Sequence, residues 1–382
     1  MDIIYFVCLL ILIYIYAGYP LVLLAARLLT RPKPVDRNKD ELPQLTLVIS
    51  AYNEESVIEE KLHNSVSSTY PEERLDIIVV SDASSDRTDE IVSAFAAQNV
   101  RLLRMEERCG KSAGLNHAVA AAKGSVVLFT DANAMFEPDA FTLMVQHFND
   151  PEVGSVVGDQ AYVKSESGSA ENEGLYWKYE QFTKEAESAT GSLIGGDGAI
   201  TAVRKELIIP LASDDLSDFI LPLAVLRSGY RNIFEPAAKC FEEGAETYEK
   251  EFSRKVRIVN RASRAAWKMR DISNPLKRPT LAFKLISHKW LRWTAGIWMI
   301  GCLAANIAIY DQHWFYMFTL YAQSICYLSA LTGAIWQGAS MPSLISVPYY
   351  FCLVNFAALR GIFENFLGRT YTTWQTVREQ SS

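Results

Sequence analysis

The stretch Val126-Val127-Leu128-Phe129-Thr130-Asp131-Ala132-Asn133 is the part of the chain around which the rest can be interpreted. Its first five residues are mostly apolar and β-prone, as in a strand buried on both faces. It ends in a carboxylate and an amide, and ligands of open α/β sheets bind beyond the carboxyl ends of the strands. Asp131 and Asn133 are therefore candidate oxygen ligands for Mg²⁺ or Mn²⁺. Taken alone, the stretch is explained better as a strand followed by an ordinary Asp/Asn turn. The choice between the two interpretations therefore depends on the motifs in the surrounding sequence.

The length of 382 residues is enough for about two domains, and the net charge of −7 disfavours general nucleic-acid binding. Residues 250–292 contain thirteen Lys or Arg and only two acids, whereas residues 314–359 contain no charged side chain. This pattern indicates a basic collar followed by a membrane block. The six cysteines are scattered and form no C-x-x-C pair. We therefore expect neither a zinc site nor a disulfide framework, and a reduced cytoplasmic setting.

The N-terminal residues 1–28 predict a transmembrane helix. Residues 3–26 are uncharged and long enough to cross a bilayer of roughly 30 Å. A cleaved signal peptide is a weaker interpretation, because Asp2 replaces a basic start and the apolar run is too long. Arg27 and the basic residues that follow it place this flank in the cytoplasm.

A second group of apolar segments occupies the C-terminal part. Residues 280–293 predict an interfacial amphipathic helix, in which basic and apolar side chains alternate at helical spacing. Residues 293–368 predict about three transmembrane segments, and residues 369–382 a tail. We therefore expect a multi-pass protein of the cell (inner or plasma) membrane, with a cytoplasmic domain at residues 40–270.

Within that domain, strand-like and helix-like stretches alternate four times in about 105 residues. This alternation predicts an α/β fold with a Rossmann-like, doubly wound parallel sheet and right-handed crossovers. The helix after the first strand is expected to be capped by Asn53. Glu54, Asp82 and Asp131 each follow a strand end, and the carboxyl ends of parallel strands lie at one edge of a sheet. We expect these three carboxylates to share that edge.

Six short motifs follow one another in this part of the chain. They are Ala51-Tyr52-Asn53-Glu54-Glu55, Val80-Ser81-Asp82-Ala83-Ser84-Ser85-Asp86, Gly110-Lys111-Ser112-Ala113-Gly114-Leu115-Asn116, Asp131-Ala132-Asn133, Ser217-Asp218-Phe219 and Gly229-Tyr230-Arg231. Each is weak alone, but their order and spacing together are a strong signal. On these residues the chain resembles the membrane-bound family 2 glycosyltransferases, which include the hyaluronan, chitin, cellulose and poly-N-acetylglucosamine synthases. The resemblance covers about residues 44–270 and the flanking membrane segments.

The resemblance implies a GT-A fold that binds a UDP-sugar and transfers its sugar with inversion. It also implies a Mg²⁺ or Mn²⁺ ion that neutralises the leaving diphosphate as a Lewis acid. Asp131 would bind this ion. Asn133 stands where the family usually has a second Asp, so the metal site has one negative charge fewer and would bind more weakly or through water.

The same resemblance assigns the nucleotide-sugar site. Asp82 is expected to hold the uracil or ribose, and Glu54 the ribose or base, with Tyr52 beside it. Lys111 would contact the diphosphate or the sugar, the alternative being a solvated lysine at a helix start.

Inversion in one step requires a base that takes the proton of the acceptor hydroxyl. The resemblance implies an Asp, and Asp214, Asp215 and Asp218 are candidates. The family residue lies about eleven residues before the Gly of the G-Y-R motif, which matches Asp218 and Gly229. We select Asp218, with Asp215 as second choice, although Asp218 could also serve as a helix N-cap. Its pKa is expected to be raised by burial near other carboxylates.

The Q/R-x-x-R-W motif of the family has its best match at Arg254-Lys255-Val256-Arg257-Ile258. Arg254 and Arg257 lie one helical turn apart and would bind the diphosphate. Ile258 replaces the Trp that forms the acceptor platform in processive enzymes, so stacking on a sugar would need Trp267 or Trp177. A basic collar that faces anionic lipid is the alternative for this run, chiefly for Arg261, Arg264 and Lys268.

Gly195-Gly196-Asp197-Gly198 stands where the family has a glycine-containing acceptor loop. Gly196 would let a sugar approach the backbone, and Asp197 would bind acceptor hydroxyls; an ordinary tight turn explains the same residues equally well.

The resulting prediction is a hexosyltransferase that uses UDP-glucose or UDP-N-acetylglucosamine to extend a β-linked polysaccharide or oligosaccharide at the membrane. Ile258 and the small number of spans favour an alternative, the transfer of one sugar to a lipid-linked acceptor. A third interpretation is an inactive, nucleotide-sugar-binding subunit of a synthase complex. Further expected partners are membrane lipid and a secretion or co-synthase subunit, but not nucleic acid.

Overall fold

The computed structural model describes residues 1–30, 42–163, 169–243, 247–336 and 341–371; the side chains of residues 162–177 and 243 lie outside the described part. Trp177, one of the two predicted stacking residues, and the end of the tail are therefore not described. Residues 2–29 form one helical segment of α1 (Asp2–Ile13), a π-helical turn (Tyr14–Gly18) and α2 (Tyr19–Leu29). This segment is long and apolar enough to cross a membrane.

A mixed sheet of eight strands forms the centre of the soluble part. The strands are β1 (Leu45–Ala51), β2 (Leu75–Ser81), β3 (Val100–Arg104), β4 (Val126–Asp131), β5 (Met135–Phe136), β6 (Val153–Val163), β7 (Thr201–Arg204) and β8 (Arg231–Glu243). Their order across the sheet is β3-β2-β1-β4-β7-β6-β8-β5. Every residue of β1 and β2 is buried, because helices cover both faces of this region.

The first four strands are parallel, and their register brings the predicted site motifs together. Ala51 of β1 pairs with Ser81 of β2, and Ser50 pairs with Asp131 of β4. Because the three strands end at the same level, the motifs that follow them share one edge, which we call the rim. The α/β expectation is confirmed for this half of the sheet.

Beyond β4 the sheet is no longer entirely parallel. Strand β7 runs antiparallel to both β4 and β6, β6 is parallel to β8, and β5 is antiparallel to β8. Thr201, the first residue of β7, pairs with Phe129 near the end of β4. The chain therefore enters β7 from the rim, after the glycine loop at residues 195–198, and has to run back along β4. As a result the glycine loop lies beside Asp131.

Helices cover the two faces of the sheet, and one apolar core lies on each face. One face is covered by α3 (Ile58–Val66), α4 (Thr88–Ala94) and α6 (Ala140–Val145). The other is covered by α5 (Lys111–Ala121), α8 (Ser217–Arg227) and α9 (Tyr248–Lys268). The remaining helix, α7 (Ser169–Ala189), packs against α2 and β8. Gly229 has a φ of 91° and follows α8, a position that favours glycine because the helix ends there in the left-handed conformation.

The C-terminal part begins with an interfacial helix, namely α10 (Pro279–Lys284), a π-helical turn (Leu285–Trp290) and α11 (Leu291–Trp293). Three apolar helices follow: α12 (Ala295–Ile307), α13 (Trp314–Ala334) and α14 (Ser343–Phe366).

The apolar helices present the surface of a membrane-associated protein. Helix α13 exposes an apolar ridge at helical spacing, formed by Trp314, Phe318, Tyr321, Ile325 and Leu328. In the described part of the chain, α14 and the N-terminal segment are the two helices long and apolar enough to cross a membrane.

Helix α14 packs directly on α9 of the soluble part. A Cβ at Gly361 would lie 2.7 Å from the carbonyl oxygen of Val256, so the two helices approach at a distance that only glycine permits. The membrane helices are thereby joined to the helix that carries the basic motif.

Candidate active site

The centre of the rim is an ion pair between Lys111 and Asp131. Asp131 is the last residue of β4, and Lys111 is the first residue of α5, the helix between β3 and β4. Nζ of Lys111 donates to Oδ1 of Asp131. Gly114 lets α5 pack closely on β2, because a Cβ there would lie 2.6 Å from Val80. The other carboxylate oxygen, Oδ2 of Asp131, faces the glycine loop.

Asp218 comes from a different part of the chain and lies across the glycine loop from Asp131. A Cβ at Gly198 would lie 3.4 Å from Oδ2 of Asp218 and 3.7 Å from Oδ2 of Asp131, so both carboxylates approach one point. Oδ1 of Asp218 is buried and has no hydrogen-bond partner in the described structure. Burial raises the pKa of Asp218, and Lys111 opposes this effect.

The glycine loop is shaped by its contact with Asp218. A Cβ at Gly196 would lie 2.5 Å from the Asp218 carbonyl oxygen, so the backbone packs there without room for a side chain. The carboxylate of Asp197 accepts from Lys184 at 3.3 Å and from the Ala199 amide at 3.3 Å. Asp197 is thus engaged within the loop, and the role predicted for it and Gly196 in acceptor binding stays a prediction.

Asp215, the second choice for the base, is held in an ion pair. Its carboxylate accepts from Lys268 at 2.5 Å and from the Ala212 amide at 2.8 Å. Lys268 and Arg264 also pair with Asp214. These basic residues, for which a lipid-facing collar was the alternative, therefore bind the loop that precedes α8.

The basic face of α9 is turned toward the rim. Burial lowers the pKa of the Arg257 guanidinium, and the neighbouring Arg261 and Arg254 lower it further. The carboxylates of Asp131 and Asp218 act in the opposite direction, so Arg257 lies within their electric field. Arg254 also pairs with Glu251 at 2.7 Å.

Ile258, the next residue after Arg257, does not face the rim. It lines a cavity of about 370 Å³ on the membrane side of α9. Trp267, the described candidate for the missing aromatic platform, is 62% exposed, and its ring is approached by Arg270.

Asp82 stabilises the loop that leads to Lys111. Its buried carboxylate accepts from the backbone amides of Cys109 at 2.8 Å and Gly110 at 3.0 Å. Gly110 has a φ of 84°, which explains why glycine stands before the helix.

Tyr52 and Glu54 lie on the neighbouring loop of the rim. The guanidinium of Arg108 lies 3.7 Å from the centroid of the Tyr52 ring. The Glu54 amide donates to Oγ1 of Thr88 at 2.9 Å.

The predicted capping role of Asn53 is wrong. Asn53 has a φ of 52°, and its side-chain oxygen accepts from the Ser85 amide at 2.9 Å. It therefore joins the loops after β1 and β2, and α3 begins later, at Ile58. Asn and Asp are the residues that reach this left-handed conformation most readily after glycine.

Two buried residues of the site have no sequence signal. Glu242 on β8 accepts a hydrogen bond from Gln160, and burial together with Asp131 and Asp197 raises its pKa to about 8. Lys61 on α3 is fully buried. Its Nζ donates to Oγ1 of Thr130 at 3.2 Å and to the carbonyl of Ala134, on either side of the Asp131–Asn133 turn. Neither stands in a recognisable motif, because each is placed by strand pairing and helix packing.

The carboxylates of the rim fit a metal ion that is bound together with a substrate. The described residues contain no group of three or more His, Cys, Asp or Glu that could enclose a metal ion. Asp131 and Asn133 are both partly exposed. An ion such as Mg²⁺ commonly uses one or two protein oxygens and completes its shell with phosphate oxygens and water. The residues present match this type of site.

Known proteins resemble this chain in sequence and in fold. Residues 46–210 match the family model "Glycosyl transferase family 2". The chain is 29% identical over 223 residues to the poly-beta-1,6-N-acetyl-D-glucosamine synthase of Staphylococcus aureus (strain COL), which covers 56% of this chain and 53% of that protein. It thus spans about half the length of that relative. It is 28% identical over 303 residues to the probable glycosyltransferase YdaM of Bacillus subtilis (strain 168), covering 73% of this chain and 68% of the relative.

Among solved structures, the mannosyltransferase PcManGT from Pyrobaculum calidifontis, in complex with GDP-Man and Mn2+, has a TM-score of 0.72 at 22% identity. The match covers 96% of this chain and 99% of that one, so the likeness of fold includes the membrane-associated helices. With its GT-A-like fold and the family match over residues 46–210, this chain is an enzyme that contains a glycosyltransferase family 2 domain and resembles the poly-β-1,6-N-acetyl-D-glucosamine synthases.

Proposed function

We propose that the protein transfers a sugar, with inversion, from a UDP-sugar to a growing β-linked polysaccharide or oligosaccharide at the cytoplasmic face of the cell membrane. The donor is UDP-glucose or UDP-N-acetylglucosamine. The observation that carries the proposal is the approach of Asp131 and Asp218 to one point beside Gly198, with Lys111 paired to Asp131. The relatives named above support a glycosyl transfer of this kind.

Asp218 is the proposed base. Its buried oxygen without a partner and its raised pKa are the properties of a carboxylate that takes a proton from an acceptor hydroxyl. Asp215 lacks this freedom, because Lys268 and the Ala212 amide already bind it. The acceptor hydroxyl would approach over Gly198, which presents no side chain between the two carboxylates.

Lys111, Arg254 and Arg257 are the proposed ligands of the donor diphosphate. Lys111 and Arg257 are positive groups beside Asp131, and Arg254 lies one helical turn from Arg257. Asp131 and Asn133 would hold Mg²⁺ or Mn²⁺, which when bound neutralises charge on the leaving diphosphate. The Mn2+ in the complex of the mannosyltransferase supports a divalent ion.

The nucleotide would lie along the outer loops of the rim. Glu54 and Tyr52 are proposed to contact the ribose or base. For Asp82, the hydrogen bonds to Cys109 and Gly110 support an action through the loop that carries Lys111, in addition to the predicted contact with the uracil or ribose.

The test is a donor screen with the full chain purified in detergent and supplied with Mn²⁺ or Mg²⁺. UDP-glucose, UDP-N-acetylglucosamine and GDP-mannose are compared by release of the nucleotide diphosphate. D218N is expected to lower the rate by about 100-fold or more. D214N is the matched control, because Asp214 carries the same charge in the loop just before α8 but pairs with Arg264 and Lys268. Equal rates for D218N and the unaltered protein would show that Asp218 is not the base.

A second candidate function is the transfer of one sugar to a lipid-linked acceptor. The cavity behind Ile258 favours it, since this position carries no aromatic platform and lies on the membrane side. Mass analysis of the product separates the two, with a ladder for polymerisation and a single shifted species for one transfer. UDP binding without turnover of any donor would instead indicate an inactive subunit.

A further inference from the structure

A cavity of about 370 Å³ lies between the soluble part and the membrane helices. Its walls are formed by α7, α9, α14, the interfacial helix and the π-helical turn of the N-terminal segment. One end of its lining is apolar and belongs to α14, with Val347, Phe351 and Val354. The other end, which we call the basic end, carries Lys255, Lys289 and Arg292 together with one carboxylate, Glu180. A lining of this kind suits a ligand that has both a charged and an apolar part.

This cavity adjoins the acceptor side of the candidate active site. A Cβ at Gly195 would lie 4.0 Å from Cε of Lys289, so the glycine loop touches the basic end. Trp293, which lines the cavity, packs on Phe219 with ring centroids 5.9 Å apart. Phe219 directly follows Asp218. A ligand in the cavity therefore reaches the glycine loop without crossing the nucleotide side of the rim.

The charges around the cavity are incompletely balanced. Arg292 is paired with Glu180, and Nδ1 of His288 donates to the Glu187 carboxylate at 2.8 Å. Lys289 has its nearest polar neighbour in the His288 ring, at 3.5 Å.

In the described part of the chain, no carboxylate lies within salt-bridge distance of Lys289. Burial lowers the pKa of Lys289, while Glu180 and Glu187 oppose this from a distance. A mostly buried ammonium group without a counter-ion is unfavourable, and a bound anion would relieve it.

We propose that this cavity binds an acceptor glycolipid in which a phosphate links the sugar to a hydrocarbon chain, with the phosphate at Lys289. The proposal rests on the second candidate function above, transfer to a lipid-linked acceptor, and names the chemical class of that acceptor. The hydrocarbon chain lies along Val347, Phe351 and Val354, and the sugar lies over the glycine loop. Two other classes of ligand fit the cavity less well. A neutral glycan would leave Lys289 without a counter-charge, and a soluble anion would make no contact with the apolar wall.

This placement gives a balanced transfer step. A hydroxyl oxygen of the bound acceptor sugar forms a bond to the anomeric carbon of the donor. The bond from that carbon to the diphosphate oxygen breaks, and the electron pair leaves with the diphosphate. The hydroxyl proton moves to Asp218.

Direct binding tests the site without any donor. The full chain in phosphatidylcholine nanodiscs is titrated with dodecyl phosphate, dodecanol and inorganic phosphate, and bound ligand is measured by native mass spectrometry. Dodecyl phosphate is expected to bind about tenfold tighter than either comparator. K289M should lose this preference, whereas K289R should keep it. K277M, at an exposed lysine before α10, is the matched control and should bind as the unaltered protein does.

Three results would overturn the proposal. They are equal binding of dodecyl phosphate to K289M and the unaltered protein, dodecanol binding as tightly as dodecyl phosphate, or inorganic phosphate binding as tightly. Without ligand, K289M should melt no lower than the unaltered protein, because the substitution removes a cation without a counter-ion. If dodecyl phosphate binds through Lys289 but no nucleotide sugar is turned over, the proposed sugar transfer is refuted and the proposed binding site is retained. Turnover with equal binding by K289M would refute the site alone.

Discussion

The substitution G198A tests the geometry of the site with little expected change in the stability of the fold. Gly198 lies between the two central carboxylates, and an added methyl group would stand 3.4 Å from Asp218 Oδ2 and 3.7 Å from Asp131 Oδ2. Both are ordinary van der Waals distances, and the backbone of Gly198 is not in the left-handed region. The methyl group is therefore expected to fit the folded protein.

We expect G198A to lower the transfer rate. An acceptor hydroxyl must come within about 2.6–3.2 Å of the base, and the methyl group would occupy the space through which it approaches. A displacement of about 1 Å is enough to lower a rate about 100-fold. Replacing Gly by Ala restricts the unfolded chain and so raises the free energy of unfolding by about 0.4–1 kcal/mol. This stabilisation opposes the cost of desolvating the two carboxylates. We therefore expect a melting temperature close to that of the unaltered protein.

The assay combines release of the nucleotide diphosphate in the presence of acceptor with a thermal melt of the same sample. G196A is the comparison, because a methyl group there would lie 2.5 Å from the Asp218 carbonyl oxygen and should lower stability by about 1–3 kcal/mol. A folded G198A protein with a rate within about threefold of the unaltered one would refute the reasoning, since the space beside Gly198 would then not be part of the acceptor path.

Three further predictions follow from the buried charges. In metal-free protein, burial raises the pKa of Asp218, so the folded state holds its proton more tightly than the unfolded state, and stability falls as the pH rises through that pKa. D218N should therefore raise the melting temperature at neutral pH, and this gain should disappear in acid. The transfer rate of the unaltered protein should fall as the pH is lowered through the same pKa. A gain in melting temperature that does not depend on pH would contradict this reasoning. K61M should weaken activation by Mn²⁺ about 10–100-fold with the donor at saturation, because Nζ of Lys61 holds both sides of the Asp131–Asn133 turn; unchanged Mn²⁺ dependence in folded protein would exclude this role. D215N should lower the free energy of unfolding by only about 1 kcal/mol, because Lys268 is 38% exposed and keeps its pair with Asp214, and it should keep the rate per folded molecule. A selective loss of rate would restore Asp215 as the base.

The parallel half of the sheet and its rim follow from short-range features of the sequence. Apolar, β-branched strands such as Leu45–Ala51 and Leu75–Ser81 can only be buried on both faces, and polar residues directly after them must then lie at one edge. For this reason the position of Asp131 near the ends of β1 and β2 could be predicted from chain order alone.

Other parts depend on contacts between residues far apart in the chain. The reversed direction of β7 follows from the rim loop that precedes it, and a repeat of strands and helices contains no information about such a reversal. Asn53 was expected to serve the helix after it, but its side chain binds a loop about thirty residues away. Lys61 and Glu242 carry no motif, since their burial is produced by elements that meet only in the folded chain.

The sequence by itself determined the α/β class, the strand-end motifs and the family, because these depend on the order of residues along single strands and turns. Only the tertiary structure decided that Asp218 meets Asp131 across Gly198 while Asp215 is bound by Lys268. It also decided that Lys289 faces a cavity shared with membrane helices. The reason is physical: which charges are paired, and which are left for a ligand, depends on the packing of segments that are distant in sequence.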